Sequence, residues 1–286
     1  MKTRNRSVLL GMLICAIIVA LLVNTASAFT MGDLQTKSRK ALEGKKIVFI
    51  TAAMMFEVVQ AWEYVIRTES KKLGMEYQLV DAVMQPDLLH QGLKSQIKKH
   101  PDIIVIHNMG VQQLARDIAK AEKNGIHVIQ LSLPSLYISD VYVGLDMEKV
   151  GRSMVEEIVK DIGKGSGTSG KLAILAGSLS SNDAVIFGRV KDEIFAKHPE
   201  IKVVLYQATG WKPSKARELT AMVLQQHPDL AGIWGYYGLH TIAAGHSVKE
   251  AGLQDKGKVY TQGDASKPTW DAIEAGLLDK VWAYNP

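Results

Sequence analysis

From Lys45 onward the chain alternates short apolar runs with amphipathic stretches of about 12 to 18 residues, the pattern of βα units feeding a parallel sheet. The run KIVFIT at 46–51 reads as a strand, and 55–73 as a helix with Phe56, Val59, Val65, Ile66 and Leu73 near helical spacing and Gly74 as its stop. The same reading gives strand 76–81, helix 86–99, strand 102–107, helix 110–124 ended by Gly125, strand 126–131 and a short strand at 140–145. A second series follows: helix 148–162, strand 171–176, helix 183–197, strand 201–207, helix 213–227, strand 230–234, helix 238–251, strand 257–262, helix 267–277 and strand 279–284.

Two series of comparable length, one on each side of residues 145–150, predict an α/β fold of two doubly wound, Rossmann-like lobes with parallel sheets and a ligand cleft between them. The boundaries this implies are 45–147 for the first lobe and 148–283 for the second, with 284–286 beginning a further crossover. His100, His198 and His227 each precede a proline at a helix end. Proline there ends the helix, so these histidines read as solvent-facing rather than as metal ligands. Gly163, Gly165 and the residues up to Gly170 contain a literal GxGxxG. A helix precedes it and a strand follows, the reverse of a dinucleotide site, so it reads as a surface turn.

The N-terminus changes the picture. Lys2, Arg4 and Arg6 precede an uncharged apolar run from Val8 to Val23, and Ala26, Ser27 and Ala28 offer a cleavage site before Phe29. Residues 1–28 read as a secretory signal peptide, with an uncleaved anchor as the alternative. Cleavage removes Cys15, the single cysteine, and leaves 258 residues with no disulfide, so a hydrophobic core alone must hold them. It also removes three positive charges, lowering the net charge from +5 to +2, too weak a balance to argue for nucleic acid or anionic lipid. A composition 47% hydrophobic and 22% charged excludes a disordered or fibrous chain.

Ligands in such sheets lie beyond the carboxyl ends of the strands. Those ends present Met54, Met55 and Phe56, then Asn108 and Met109, then Ser132, Leu133 and Pro134, then Asp146. The second series offers Ser178 to Asp183, Trp211, Tyr236 and Tyr237, Asp264 and Asn285. Neutral polar and aromatic groups suit a small uncharged polyhydroxyl ligand, whose hydroxyls pair with Asn and Asp while ring faces cover its C–H side. Each has a structural alternative: Met55 and Phe56 as core, Asn108 as the cap of helix 110–124, Asp146 as the cap of helix 148–162, Asp264 as the cap of helix 267–277. Trp211, on a loop before Pro213, reads as a cleft residue. No GxSxG elbow, HExxH or CxxC occurs, and Glu156 and Glu157 are adjacent on a helix, so neither a catalytic constellation nor a metal site is expected.

From Lys45 to Pro286 the chain resembles the sugar-type periplasmic binding proteins of ABC importers, the type I fold similar to ribose-binding protein. The resemblance rests on Val143 to Asp146 with Gly151, Arg189 in GRVKDEIF, and Trp211 in ATGWKPSKA. QQHPDLAGIW followed by Gly252, and Gly263 with Asp264, complete it. It implies ligand contacts at Met55, Phe56, Asn108, Trp211, Asp264 and Asn285, and at Arg189 with Asp183 competing for its place; Ser132 and Tyr237 join the candidates by their place at strand ends. Ser132 and Leu133 stand where sugar binders commonly carry Asp-Arg, and Tyr237 and Gly238 where they carry Asn-Asp. That favours a smaller polyol, a less hydroxylated sugar or a sugar-like signal molecule. Relative to that family the closing C-terminal helix and strand are missing.

The expectation is therefore a periplasmic, monomeric solute-binding protein without cofactor, metal or nucleic acid, which closes its lobes on a small sugar or polyol and delivers it to an inner-membrane ABC permease. A receptor presenting a sugar-like signal to a sensor kinase or chemoreceptor is the first alternative, and a hydrolase acting on a sugar derivative the second.

Overall fold

The computed structural model describes residues 31–255, 257–264 and 266–284. By contact the chain divides into two units between Gly44 and Lys45. In the first unit the described element is α1 (Met31–Leu42), which carries Asp33 in its first turn and Arg39 and Lys40 in its last, charges that complement the helix dipole. This helix was not assigned from the sequence, and the signal peptide expected over 1–28 lies outside the described residues. No helix among the described residues is long and apolar enough to cross a membrane.

The second unit contains two parallel five-stranded sheets. The first holds β1 (Lys46–Thr51), β2 (Glu76–Asp81), β3 (Ile103–His107), β4 (His127–Leu131) and β5 (Val141–Val143) in the order β2-β1-β3-β4-β5. Its helices are α2 (Glu57–Lys72), α3 (Pro86–Lys99) and α4 (Ala115–Lys123). The second holds β6 (Lys171–Ala176), β7 (Lys202–Ala208), β8 (Gly232–Gly235), β9 (Lys258–Asp264) and β10 (Lys280–Tyr284) in the order β10-β9-β8-β6-β7. Around it lie α5 (Met147–Ile162), α6 (Asn182–Phe195), α7 (Pro213–Gln226), α8 (Gly238–Glu250) and α9 (Lys267–Glu274).

The central strands are continuous apolar runs because both of their faces are covered. In β6, Leu172, Ile174 and Ala176 pack with Met154, Ile158 and Phe187 on one face. Ala173 and Leu175 turn to the other and pack with Leu219, Val223 and Ala244. In β1, Val48 and Ile50 meet Leu89 and Leu93 of α3, whereas Ile47 and Phe49 meet Val58 and Val59 of α2. The two-residue period of a strand thus feeds two helical layers at once. The outer strands β5 and β7 are largely exposed.

One predicted helix is shortened: turns occupy 111–114, and α4 starts at Ala115 instead of 110. Gly110 is used elsewhere, forming an antiparallel bridge with Ser181 of the second half. The run from Gly163 to Gly170 is a turn between α5 and β6, with Gly165, Gly167 and Gly170 at positive φ.

Candidate functional site

All strands of a sheet run the same way, so their carboxyl ends collect on one side, and a cavity of about 300 Å3 lies among them. The first sheet's elements supply Phe56 before α2, Val58, Val59 and Trp62 within it, His107 ending β3, and Leu131, Ser132 and Leu133 ending β4. The second sheet's elements supply Asp183 at the start of α6, Trp211 after β7, Tyr236 and Tyr237 after β8, and Gln262 of β9. The two halves touch around it. The Asn182 N–H donates to Met109 O at 3.3 Å, Asn182 Nδ2 donates to Pro134 O, and the rings of Phe56 and Tyr237 meet edge to face at 5.3 Å.

Trp211 is placed by backbone as much as by packing. Gly210 and Trp211 both take positive φ, +62° and +58°, a conformation costly for a tryptophan and held only where the surroundings enforce it. The indole then lies on Gly177, where a Cβ would stand 2.2 Å from Nε1. Ser132 is a second strained residue at the cavity, with φ +67°.

Two buried histidines hold the walls. His107 Nδ1 is hydrogen-bonded to Thr51 Oγ1 at 3.1 Å, and its ring meets Trp62 edge to face at 5.4 Å. His240, at the start of α8, accepts the Tyr237 N–H on Nε2 at 3.1 Å. Nδ1 therefore carries the proton and donates to Thr209 Oγ1 at 2.8 Å, while the Thr209 hydroxyl donates to Ala176 O. One imidazole thus ties the turn bearing Tyr237 to the turn bearing Trp211. Burial pushes both histidines down to about 4, so both are neutral.

The cavity's acid is Asp183. Burial pushes its carboxyl up, opposed by hydrogen bonds from Ser181 and from the first N–H groups of α6. Tyr236 is driven up as well, chiefly by burial. Tyr236 lines the cavity with its hydroxyl beside that of Tyr206, and Gln262 Oε1 is a buried polar atom of a cavity residue with no hydrogen-bond partner. The Gln262 amide nitrogen is already spent on Tyr236 O at 3.0 Å. Buried polar groups left unpaired are costly, and a ligand that pairs them recovers that cost.

Of the residues expected from the sequence, the structure brings Phe56, Ser132, Asp183, Trp211 and Tyr237 to the cavity. Three are placed elsewhere. Met55 is 64% exposed, while its neighbour Phe56 turns inward. Asn108 is fully buried, but its side chain closes its own turn, donating to Gly110 O at 2.7 Å and accepting the Gly110 N–H at 3.0 Å. It therefore does not cap α4. Arg189 lies on the outer face of α6, paired with Glu148 at 2.7 Å. Asp264 ends β9 opposite Tyr284, Ser266 takes the cap position of α9, and Asn285 lies outside the described residues. Asp146 caps α5 by accepting the Lys149 N–H at 3.1 Å.

Sequence reasoning missed His107, Trp62 and Gln262, and it placed Tyr236 at a strand end without carrying it into the set of ligand contacts. A polar residue closing an otherwise apolar strand, as in DIIVIH and KVYTQ, was the available signal for two of them. Trp62 and Val59 lie one helical turn apart on a face that also reads as core.

The family model described as "Periplasmic binding protein domain" matches residues 47–286. The D-allose-binding periplasmic protein of Escherichia coli K12 is 25% identical over 237 residues, 77% of this chain and 73% of that protein. A solute-binding protein from Burkholderia graminis, solved with D-arabinose, superposes with a TM-score of 0.75 at 23% identity, covering 84% of this chain and 82% of the other. The XylFII–LytSN complex gives a TM-score of 0.75 at 19% identity, covering 83% and 86%. At these identities the structures establish the fold. With the family's model matched along both sheets and a cavity facing their strand ends, the chain belongs to the periplasmic binding proteins, in the sugar-type group that its residues resemble.

Proposed function

We propose that the chain captures one small, neutral, hydroxylated ligand, a sugar or polyol, in the cavity between its two sheets. One observation carries the reading: Gln262 Oε1 is buried without a partner at a cavity that the rings of Trp211, Tyr237 and Phe56 also line. An unspent polar atom among ring faces matches a ligand that is hydroxylated at its edges and apolar on its faces. The lobes close over it and exclude water, giving a dissociation constant on the order of 1 μM, about 8 kcal/mol. The closed form is then recognised in the periplasm by an inner-membrane ABC permease. The D-allose-binding relative and the D-arabinose-bound structure support the ligand class.

A second reading changes the partner and keeps the ligand. The fold is also that of XylFII, solved together with LytSN, which supports a receptor that hands a sugar-like signal to a sensor protein.

Isothermal titration calorimetry of the full chain against D-allose, D-arabinose and pentitols tests the binding step. Saturable heat from at least one of them, lost in Trp211→Ala, is the expected result. Heat from none of them contradicts it.

A further inference from the structure

The sugar-type reading leaves open which sugar chemistry the cavity takes, and the two walls differ. On the second sheet's side stands a hydrogen-bond acceptor with nothing to accept. Gln262 Oε1 can only accept, and its own amide nitrogen is bound to Tyr236 O. Tyr236 adds a buried phenol, whose hydroxyl lies beside that of Tyr206 and has capacity for a further hydrogen bond. Asp183 adds a buried carboxyl, and no lysine or arginine among the described residues lines the cavity to pair with it.

The facing wall is largely hydrocarbon. Val58, Val59, Trp62, Leu131 and Val143 line it. Its polar side-chain groups are the Ser132 hydroxyl, the Trp62 indole N–H and the His107 ring, and one imidazole nitrogen of His107 is already bound to Thr51. A ligand hydroxyl pressed against that wall loses its water and gains few partners, whereas a methyl there buries area favourably.

Resting on the sugar-type reading, we propose that the ligand is two-faced. One edge carries at least two hydroxyl donors for Gln262, Tyr236 and Asp183. The opposite edge is deoxygenated or alkylated and lies against Val59 and Leu131. The class is a deoxy or alkyl-substituted sugar or polyol, in preference to its fully hydroxylated parent. Sugar acids and sugar phosphates are rejected, because the cavity meets them with acceptors and an acid.

The test is calorimetry of the full chain with matched pairs: D-allose against 6-deoxy-D-allose, and D-galactose against 6-deoxy-D-galactose. In at least one pair the deoxy member binds about tenfold more tightly than its parent, the scale set by one unpaired buried hydroxyl. Val59→Thr gives the wall a hydroxyl and shrinks that ratio toward one. Leu131→Thr repeats the trial should the first variant fail to fold. Parents that bind as well as or better than the deoxy members overturn the two-faced ligand and leave the sugar reading standing. A ratio unmoved by both folded variants overturns the placement of the apolar edge. Silence from every compound overturns the proposal and the sugar reading together.

Discussion

Gly177 matters because of what rests on it. With the indole of Trp211 so close that a Cβ would stand 2.2 Å from Nε1, Gly177→Ala must move the ring or the β6 turn. The strained loop at Gly210 and Trp211 has few other conformations to offer. We expect ligand affinity to fall at least about tenfold, a loss of one stacking surface. Calorimetry reads the affinity, and a thermal melt shows whether the fold survives. An unchanged affinity would remove Trp211 from the ligand's contacts.

The buried histidines set a pH dependence at the same scale. His107 and His240 titrate near 6.5 when unfolded and at about 4 when folded. The folded chain refuses protons that the unfolded chain accepts, so stability is intact above pH 6.5 and lost as pH falls from there toward 4. At pH 5 each histidine accounts for about 2 kcal/mol of that loss. Asp183 acts with the opposite sign: its raised carboxyl keeps a proton longer when folded, so its ionisation costs stability as pH rises beyond the ordinary carboxylate range. Urea unfolding at pH 7 and pH 5 should show a smaller acid loss in His240→Asn, by about 2 kcal/mol. An identical loss in both proteins would contradict a neutral, buried His240.

Among the elements, α5 and α6 are brought together at a notch. Gly151 lies against Phe187, where an added Cβ would stand 2.6 Å from Cδ1. Phe187 in turn meets Tyr236 edge to face at 5.2 Å and stacks near Trp234 at 5.9 Å. Gly151→Ala should therefore destabilise by about 1 to 3 kcal/mol through overpacking, and displace Tyr236 from the cavity wall. Denaturant unfolding measures the first effect and ligand affinity the second. A variant as stable as the parent would mean that the crossing is looser than the contact implies.

The elements were also the most legible feature of the sequence. Apolar runs such as KIVFIT and KLAILA are buried on both faces, and that continuity distinguishes strands from amphipathic helices in the sequence alone. The site was legible by position and less so by orientation. Phe56 and Met55 are adjacent at a helix start, and only the register of α2 decides that Phe56 turns in. Asn108 was read by its type, yet its amide is consumed by Gly110 two residues later. Arg189 and Asp183 lie six residues apart on α6, and the pairing of Arg189 with Glu148 of α5 is tertiary information that no local spacing carries. Gln262 escaped because its one signal, a polar residue at the end of the predicted strand 257–262, belongs to no motif. Its importance comes from one unpaired oxygen.

At the scale of the molecule, the two sheets' elements meet around the cavity at the Gly110 and Ser181 bridge, the Asn182 hydrogen bonds and the edge-to-face contact of Phe56 with Tyr237. A ligand that fills the cavity adds contacts to both halves and stabilises the folded chain by mass action. At a concentration about 100 times its dissociation constant the gain is about 2.7 kcal/mol, which for a chain of this size raises the melting temperature by roughly 5 to 10 °C. A thermal melt over a ligand series checks this. Absence of a shift for a compound that binds by calorimetry would place its site outside the closed cavity.

The most direct trial of the whole account is a crystal structure of the chain with a compound that gives saturable heat. The account predicts ligand density between Trp211 and Phe56, with a ligand hydroxyl within hydrogen-bond distance of Gln262 Oε1 or Tyr236 Oη. Density on an outer surface, or a filled cavity in which the ligand reaches neither oxygen, would contradict it.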